Sequence, residues 1–255
     1  PMGIGDLGEA SRNWIDLLAK GGAAWWQLLP INPLGTGETP YQSSSLFAGS
    51  CLYLSLEDLA AEGLLRESDV KAARKELEAS LLPPDRIDYE LVRKVKLPLF
   101  HKAYLTFRRK VYYGRAQEGF LSRKAFEAFT ETNAFWLEGY CLYKVLKKKD
   151  MGPFWLDIQD FSSRLSSRQR SGMDYHRFLQ YAFFHQWQKM KEYGEARGVS
   201  LLGDLPIYVA QDSCATYTHP RYFRLDEEGQ PLEAAGVPPD YFSPTGQLWG
   251  NPLYD

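Results

Sequence analysis

Two short apolar runs, far apart in the chain, restrict the fold more than any other feature. The first is Ala23 to Ile31, AAWWQLLPI, near-continuous in apolar residues and closed by Pro30. Such a run reads as a strand buried on both faces, the kind found in parallel sheets. It follows a helical pattern that carries Trp14, Leu17 and Leu18 inward and stops at Gly21-Gly22. The second run, Val199 to Leu202, leads into Gly203-Asp204-Leu205-Pro206, where the strand pattern gives way to turns. Helix, glycine turn and buried strand make half of an α/β repeat. The expected fold class is therefore α/β, with core strands near residues 23–31 and 199–207 bracketing an insertion.

The insertion reads as helices with short connections. Asp6-Leu7-Gly8-Glu9 has capping-box spacing ahead of the first helix. Cys51 to Leu56 alternates briefly before a helical turn at Leu56-Glu57-Asp58-Leu59. Ser68 is placed to cap a helix through Leu77, and Pro83-Pro84 breaks the chain. Asp88 opens a further pattern that Pro98 interrupts and Tyr104, Phe107, Val111 and Tyr112 resume. Apolar faces recur at Phe126, Phe129, Phe135, Trp136, Tyr140, Leu142 and Tyr143, and again at Tyr175, Phe178, Leu179, Ala182, Phe183, Gln186 and Trp187. Lys147-Lys148-Lys149-Asp150 reads as a solvated helix end, favoured there by the helix field. No internal repeat is evident, which argues against a solenoid.

Composition excludes several classes. A net charge of -2 supplies no field that would gather nucleic acid, and no membrane partner is implied. Cys51, Cys141 and Cys214 are too few and too scattered for a disulfide framework. The four His show no paired spacing, so no metal is expected. With no apolar run of about 18 residues and no signal peptide, a soluble cytoplasmic protein is the default. The chain opens on Pro1 rather than Met and closes at Asp255 inside a motif-rich segment, which reads as a chain cut at both ends. Aromatic residues reach 15%, enough for a ring-lined groove or a thick core.

Loops after strand ends are where α/β proteins hold ligands. Asn32 to Ser50 is one such loop and contains Gly35, Gly37, Pro40, Tyr41 and Ser45. Gly203 to Asp255 is the other, with Asp204, Tyr208, Asp212, Asp240, Tyr241, Phe242, Trp249 and Asn251 close together. Rings beside amides and carboxylates suit a ligand with apolar faces and hydroxyl edges, such as a sugar chain. Tyr41 and Trp249 are the platform candidates, because each sits among Gly and Pro. Asp204 follows a strand end and can accept sugar hydroxyls or cap the next turn. Asp240-Tyr241-Phe242, stiffened by Pro238-Pro239, makes a candidate rim. Asp212 reads as a helix N-cap and His219 as structural. A packed crossover whose aromatics are only core is the alternative. Glycosyl transfer needs two flanking carboxyl groups, and no convincing pair is found here.

The motifs resemble those of glycoside hydrolase family 77, the 4-alpha-glucanotransferases or amylomaltases. Gly3-Ile4-Gly5-Asp6-Leu7-Gly8 is similar to the family's opening motif, and Trp26-Gln27-Leu28-Leu29-Pro30 with Asn32-Pro33 to its next strand and loop. Tyr41-Gln42-Ser43-Ser44-Ser45 with Phe47-Ala48-Gly49 resembles the early substrate loop. Gly203-Asp204-Leu205-Pro206-Ile207-Tyr208 resembles the first catalytic-core region. Ala235 to Ser243 and Gly246 to Pro252 resemble the mobile loop over the donor and acceptor sites.

The resemblance implies part of a (β/α)8 TIM barrel, over residues 1–60 and 196–255, with a mostly helical subdomain inserted at 61–195. It implies retaining transfer of an α-1,4-glucan segment to glucose or another glucan, without metal or organic cofactor. Substrate partners would be α-1,4-glucans, maltooligosaccharides and glucose. Tyr41, Ser45, Asp204, Tyr208, Asp240, Tyr241, Phe242, Trp249 and Asn251 would be the substrate-binding residues. The catalytic carboxylates would lie beyond residue 255, so none is assigned and these 255 residues alone are expected to be inactive. A glucan hydrolase or a non-catalytic glucan-binding module are the competing expectations. Ser50 departs from the family's Asn, and Tyr217 from its Trp.

Overall fold

The computed structural model describes residues 2–35, 38–79, 86–114, 116, 118–146 and 165–255. Gly37, Pro83-Pro84 and the Lys147–Asp150 run lie outside the described residues. The described chain is mostly helical with two two-stranded sheets, and no closed barrel is formed among the described residues. It divides into two compact units. One comprises Pro1–Leu28, Ser50–Asn133 and Arg177–Leu202; the other comprises Leu29–Gly49, Ala134–His176 and Gly203–Asp255.

In the first unit, helix α1 (Glu9–Lys20) precedes strand β1 (Trp25–Gln27), which pairs in parallel with β2 (Ser200–Leu202) in the register Trp26↔Leu201. The two apolar runs are thus neighbouring strands, shorter than the sequence pattern. They are not buried on both faces: Trp25 and Leu202 are exposed, because each strand has one partner among the described residues. Ile15 is the buried residue of α1, whereas Trp14 and Leu17 are exposed, contrary to expectation. The capping box at Asp6 is not formed either. Gly8 is the N-cap, and Asp6 Oδ1 instead accepts the Gly8 N–H at 3.0 Å in a turn before the helix. A Cβ at Gly8 would lie 2.5 Å from Ser55 Oγ, so this close approach needs glycine.

Helices α2 (Leu56–Ala61), α3 (Glu67–Glu78), α4 (Tyr89–Tyr113) and α5 (Arg123–Thr132) complete this unit with the later part of α7 (Ser167–Glu195). Cys51–Tyr53 is a 3₁₀ turn rather than an alternating strand. Ser55 caps α2 by accepting the Asp58 N–H, and Asp88 caps α4 by accepting that of Leu91. Ser68 lies inside α3, whose N-cap is Arg66, with Asp69 Oδ2 accepting the Arg66 N–H. Pro98 does not break α4. Losing one backbone donor in a helix interior costs about 3 kcal/mol, and buried Val95, Phe100, Ala103 and Phe107 on both sides of it offset that cost. Phe107 is the hub of the core, with the rings of Phe126 and Phe178 5.2 and 4.8 Å from its own. Buried Gln186 ties α7 to Ser55, accepting its N–H and donating to its carbonyl.

In the second unit, α6 (Ala134–Leu146) buries Leu137, Tyr140, Cys141 and Tyr143. Tyr143 donates to the Asp212 carbonyl and packs edge-on against Tyr217, 5.4 Å away. The expected cap at Asp212 is one residue early: Ser213 caps the short helix α8 (Cys214–Thr218), accepting the Thr216 N–H. Strands β3 (Ala234–Val237) and β4 (Gln247–Pro252) form an antiparallel hairpin. Among the described residues, no helix is long and apolar enough to cross a membrane.

Candidate functional site

The second unit holds a cleft of about 570 Å³ lined by Thr39, Tyr41, Gln42, Asp204, Leu205, Ile207, Tyr208, Leu248, Trp249 and Asn251. The size falls within the range of small-ligand pockets. Three stretches build it: the loop before residue 50, the turn-rich segment after Gly203, and β4.

The loop is held by its backbone. Ser43 and Ser44 are buried, and their carbonyls accept the N–H groups of Ala210 and Cys214 at 3.1 and 2.8 Å. Ser45 belongs to this scaffold. It is buried, and its Oγ accepts the N–H groups of Phe47 and Ala48 rather than lining the cleft. So anchored, the loop presents Tyr41, half exposed, with its hydroxyl donating to Asp204 Oδ2 at 3.1 Å. The acceptor carboxylate pushes the Tyr41 phenol above its ordinary pKa, with desolvation adding to it. Tyr41 therefore stays a donor, and Asp204 keeps lone pairs for further hydroxyls.

β4 supplies the opposite side through an irregularity. Its register with β3 passes from Gly236↔Leu248 to Ala234↔Pro252, so Trp249, Gly250 and Asn251 together face the single residue Ala235. This is a β-bulge, and Gly250 takes the left-handed conformation it needs, at φ 79°. Trp249 remains 40% exposed, and its Nε1 donates to Gln247 Oε1 at 3.0 Å. Asn251 is buried and donates to the Val209 carbonyl at 2.8 Å, so its amide fastens the bulge as well as edging the cleft. Tyr208 stacks on Tyr254, ring centres 6.2 Å apart, and lies 6.4 Å from the Trp249 ring.

Five of the nine sequence candidates thus come together: Tyr41, Asp204, Tyr208, Trp249 and Asn251. The other four do not line the cleft. Asp240 Oδ1 accepts the N–H groups of Phe242 and Ser243, turning the β3–β4 loop. That loop displays Tyr241 and Phe242, 95% and 87% exposed, edge-to-face at 5.7 Å. His219 is structural, stacked on Tyr222 with Nδ1 2.8 Å from Thr218 Oγ1. Gln42 and the apolar wall of Leu205, Ile207 and Leu248 were not singled out by residue type. The signal that could have found them is the mixed polar–apolar run next to each candidate acid or ring. Among the described residues, no group of three or more His, Cys, Asp or Glu is arranged to hold a metal ion.

The pattern of the 4-alpha-glucanotransferases, glycoside hydrolase family 77, matches residues 1–255. The chain belongs to that family. It is 40% identical over 262 aligned residues to the 4-alpha-glucanotransferase of Thermus thermophilus, covering all of this chain and 49% of that protein. The corresponding protein of Aquifex aeolicus is 37% identical, with all of this chain and 50% of that protein covered. Among solved structures, the amylomaltase of Streptococcus agalactiae in complex with acarbose superposes with a TM-score of 0.84 at 29% identity, over all of this chain and 50% of that one. The chain spans about half the length of the relatives it matches. Three of the stretches whose sequence resembles the family lie at the cleft: the Tyr41–Ser45 loop, Gly203–Tyr208 and Gly246–Pro252 each contribute to its wall or its support.

Proposed function

We propose that the cleft is a groove for α-1,4-glucans, and that the protein carrying it is a retaining 4-alpha-glucanotransferase. The observation that carries this reading is the pairing, in one cleft, of exposed Tyr41 and Trp249 rings with Asp204. A ring covers the apolar face of a pyranose, while a carboxylate and a phenol bind its hydroxyl edge. The likeness to an amylomaltase in complex with acarbose supports the same reading.

In this reading β1 and β2 are staves of a (β/α)8 barrel, and residues 61–195 are an inserted helical subdomain. Their direct parallel pairing supports it, because the long helical stretch between them leaves the strands adjacent. The nucleophile and acid/base of retaining transfer belong to sequence other than these 255 residues. Asp204 binds, Trp249 and Tyr41 carry the sugar, and the Tyr241–Phe242 loop covers the acceptor.

The test is Trp249→Ala in the full-length protein, assayed by disproportionation of maltotriose. Losing one stacked ring costs about 1–2 kcal/mol, so KM is expected to rise about tenfold with little change in melting temperature. A large drop in melting temperature with unchanged kinetics would make Trp249 a core residue and remove the reading's main support. Replacing Tyr241 and Phe242 together by Ala should raise hydrolysis relative to transfer, because the loop would no longer exclude water. Glucose release compared with chain-length redistribution measures that ratio. A fixed ratio would take the loop out of acceptor selection.

A further inference from the structure

The bulge of β4 raises a mechanical problem. Ladder hydrogen bonds hold a regular strand, but a bulge leaves its extra residues unpaired, and here those residues include Trp249. Its ends are fastened: Gln247 Oε1 accepts from the indole on one side, and Asn251 donates to the Val209 carbonyl on the other. The middle is fastened by Gln42, whose Nε2 donates to the Trp249 carbonyl at 2.7 Å.

Gln42 suits the task because its own backbone is fixed. Its carbonyl accepts the Gly35 N–H at 2.8 Å, its N–H donates to the Thr39 carbonyl, and the next two residues are the buried serines bound to Ala210 and Cys214. A side-chain amide on a fixed loop thus reaches the one main-chain carbonyl whose position sets where the neighbouring indole stands. A residue with no donor could not make this contact.

We propose that Gln42 is a positioning residue: by holding the Trp249 carbonyl it fixes the β4 bulge, so that the indole keeps its place in the cleft and sets how tightly a glucan is bound. The inference rests on the reading of the cleft as a glucan groove. It assigns Gln42 an action through Trp249, not through contact with the sugar.

The experiment is a double-mutant cycle in the full-length protein, with maltotriose as substrate and melting temperature as the control. Gln42→Leu removes the donor, and Gln42→Glu keeps the shape but sets a carboxylate against the carbonyl. A partly exposed neutral hydrogen bond is modest in strength, so each variant is expected to raise KM about three- to tenfold, with kcat falling less than about twofold. In a Trp249→Ala background the same change at Gln42 should raise KM no further. An unchanged KM, or the same fold-increase with and without Trp249, overturns the assignment; the latter would mean that Gln42 acts elsewhere. If Trp249→Ala alone leaves KM unchanged, the glucan groove itself fails and the inference falls with it. An additive cycle removes the Gln42 assignment alone. Should Gln42→Leu not fold, Gln42→Glu carries the test, and loss of the fold in both variants overturns the proposal in favour of a purely structural tether.

Discussion

Purified by itself, the 255-residue chain is expected to bind maltooligosaccharides and to leave them uncleaved. The chemistry decides this. Retaining transfer requires a nucleophilic carboxylate and an acid/base carboxyl about 5–5.5 Å apart across the scissile bond. Among the described residues that line the cleft, Asp204 is the single carboxylate, and its partner is the Tyr41 hydroxyl rather than a second acid. Asp240 is spent on the β3–β4 turn. Binding by rings and one acid stabilises ground state and transition state alike, which does not accelerate the chemical step. Since an enzyme's acceleration is commonly about a millionfold or more, loss of the pair should put transfer below detection. The measurement incubates the chain with maltotriose, follows glucose and longer oligosaccharides, and records binding in parallel by calorimetry. Disproportionation that depends on the chain and vanishes with Asp204→Ala would place a catalytic acid in this cleft and refute the expectation. Exposed Trp25, Leu202, Leu205 and Ile207 also predict self-association of the isolated chain, so its mass in solution should be measured in the same buffer.

How far the sequence carried depends on the range of the forces involved. Helix faces set by neighbours three and four residues away were legible in α7, but not in α1, where Trp14 and Leu17 are exposed. Nor were they at Tyr112 and Phe135, exposed although the spacing placed them on apolar faces. In α7 the pattern holds. Phe178, Leu179, Ala182 and Phe183 are all buried as their spacing requires. The strand pair was legible because apolar runs bounded by glycines leave few alternatives. Exact caps were not. Ser213 and Asp212 are both competent acceptors, and a one-residue difference in where the helix starts chooses between them. Pro98 misled because the penalty it carries is local, whereas Phe100 and Phe107 hold α4 together through distant contacts. In the site, Tyr41, Asp204 and Trp249 announced themselves by residue type in Gly- and Pro-rich surroundings. Ser45 had the same surroundings, yet its hydroxyl turns to the backbone of its own loop. The bulge was the hardest feature to read. Gly250 hints at it, but the carbonyl it frees finds its partner in Gln42, more than two hundred residues away in sequence.

Lys96→Met is expected to destabilise the protein by about 3 kcal/mol at neutral pH, because it leaves a buried carbonyl without its donor and a buried carboxylate without the cation that offsets its charge. Lys96 is fully buried within α4. Its Nζ donates to the Leu52 carbonyl at 2.7 Å, lies 5.9 Å from the centre of the Phe100 ring, and feels the negative charge of Asp6 and Glu57. Methionine would refill the volume of the stem but supply no donor and no charge. Asp6 would then be a buried carboxylate without its main compensating cation, and burial already raises its pKa. For a domain of this size the melting temperature should fall by about 6–12 °C. Adding Asp6→Asn to Lys96→Met should recover about half, since the Asn oxygen can still accept the Gly8 N–H while the uncompensated charge is gone. The pH dependence has a definite sign. Burial lowers the Lys96 ammonium from 10.5 to about 8. Between those values the unfolded chain retains a proton that the native one has released, so stability from this residue rises with pH across that window. The full span is worth roughly 3 kcal/mol, and it is cleanest below pH 9, before the unfolded Cys214 thiol, whose native pKa burial pushes up to about 12, contributes a fall. Urea unfolding of wild type and Lys96→Met at pH 7, 8 and 9 isolates the effect as their difference. The difference should grow as pH rises, because wild type gains stability as the native lysine sheds its proton and Lys96→Met carries no such group. Equal stability of the two at pH 7 would mean that Lys96 does not offset the Asp6 charge, and a difference that shrinks with pH would mean that burial does not lower the Lys96 ammonium.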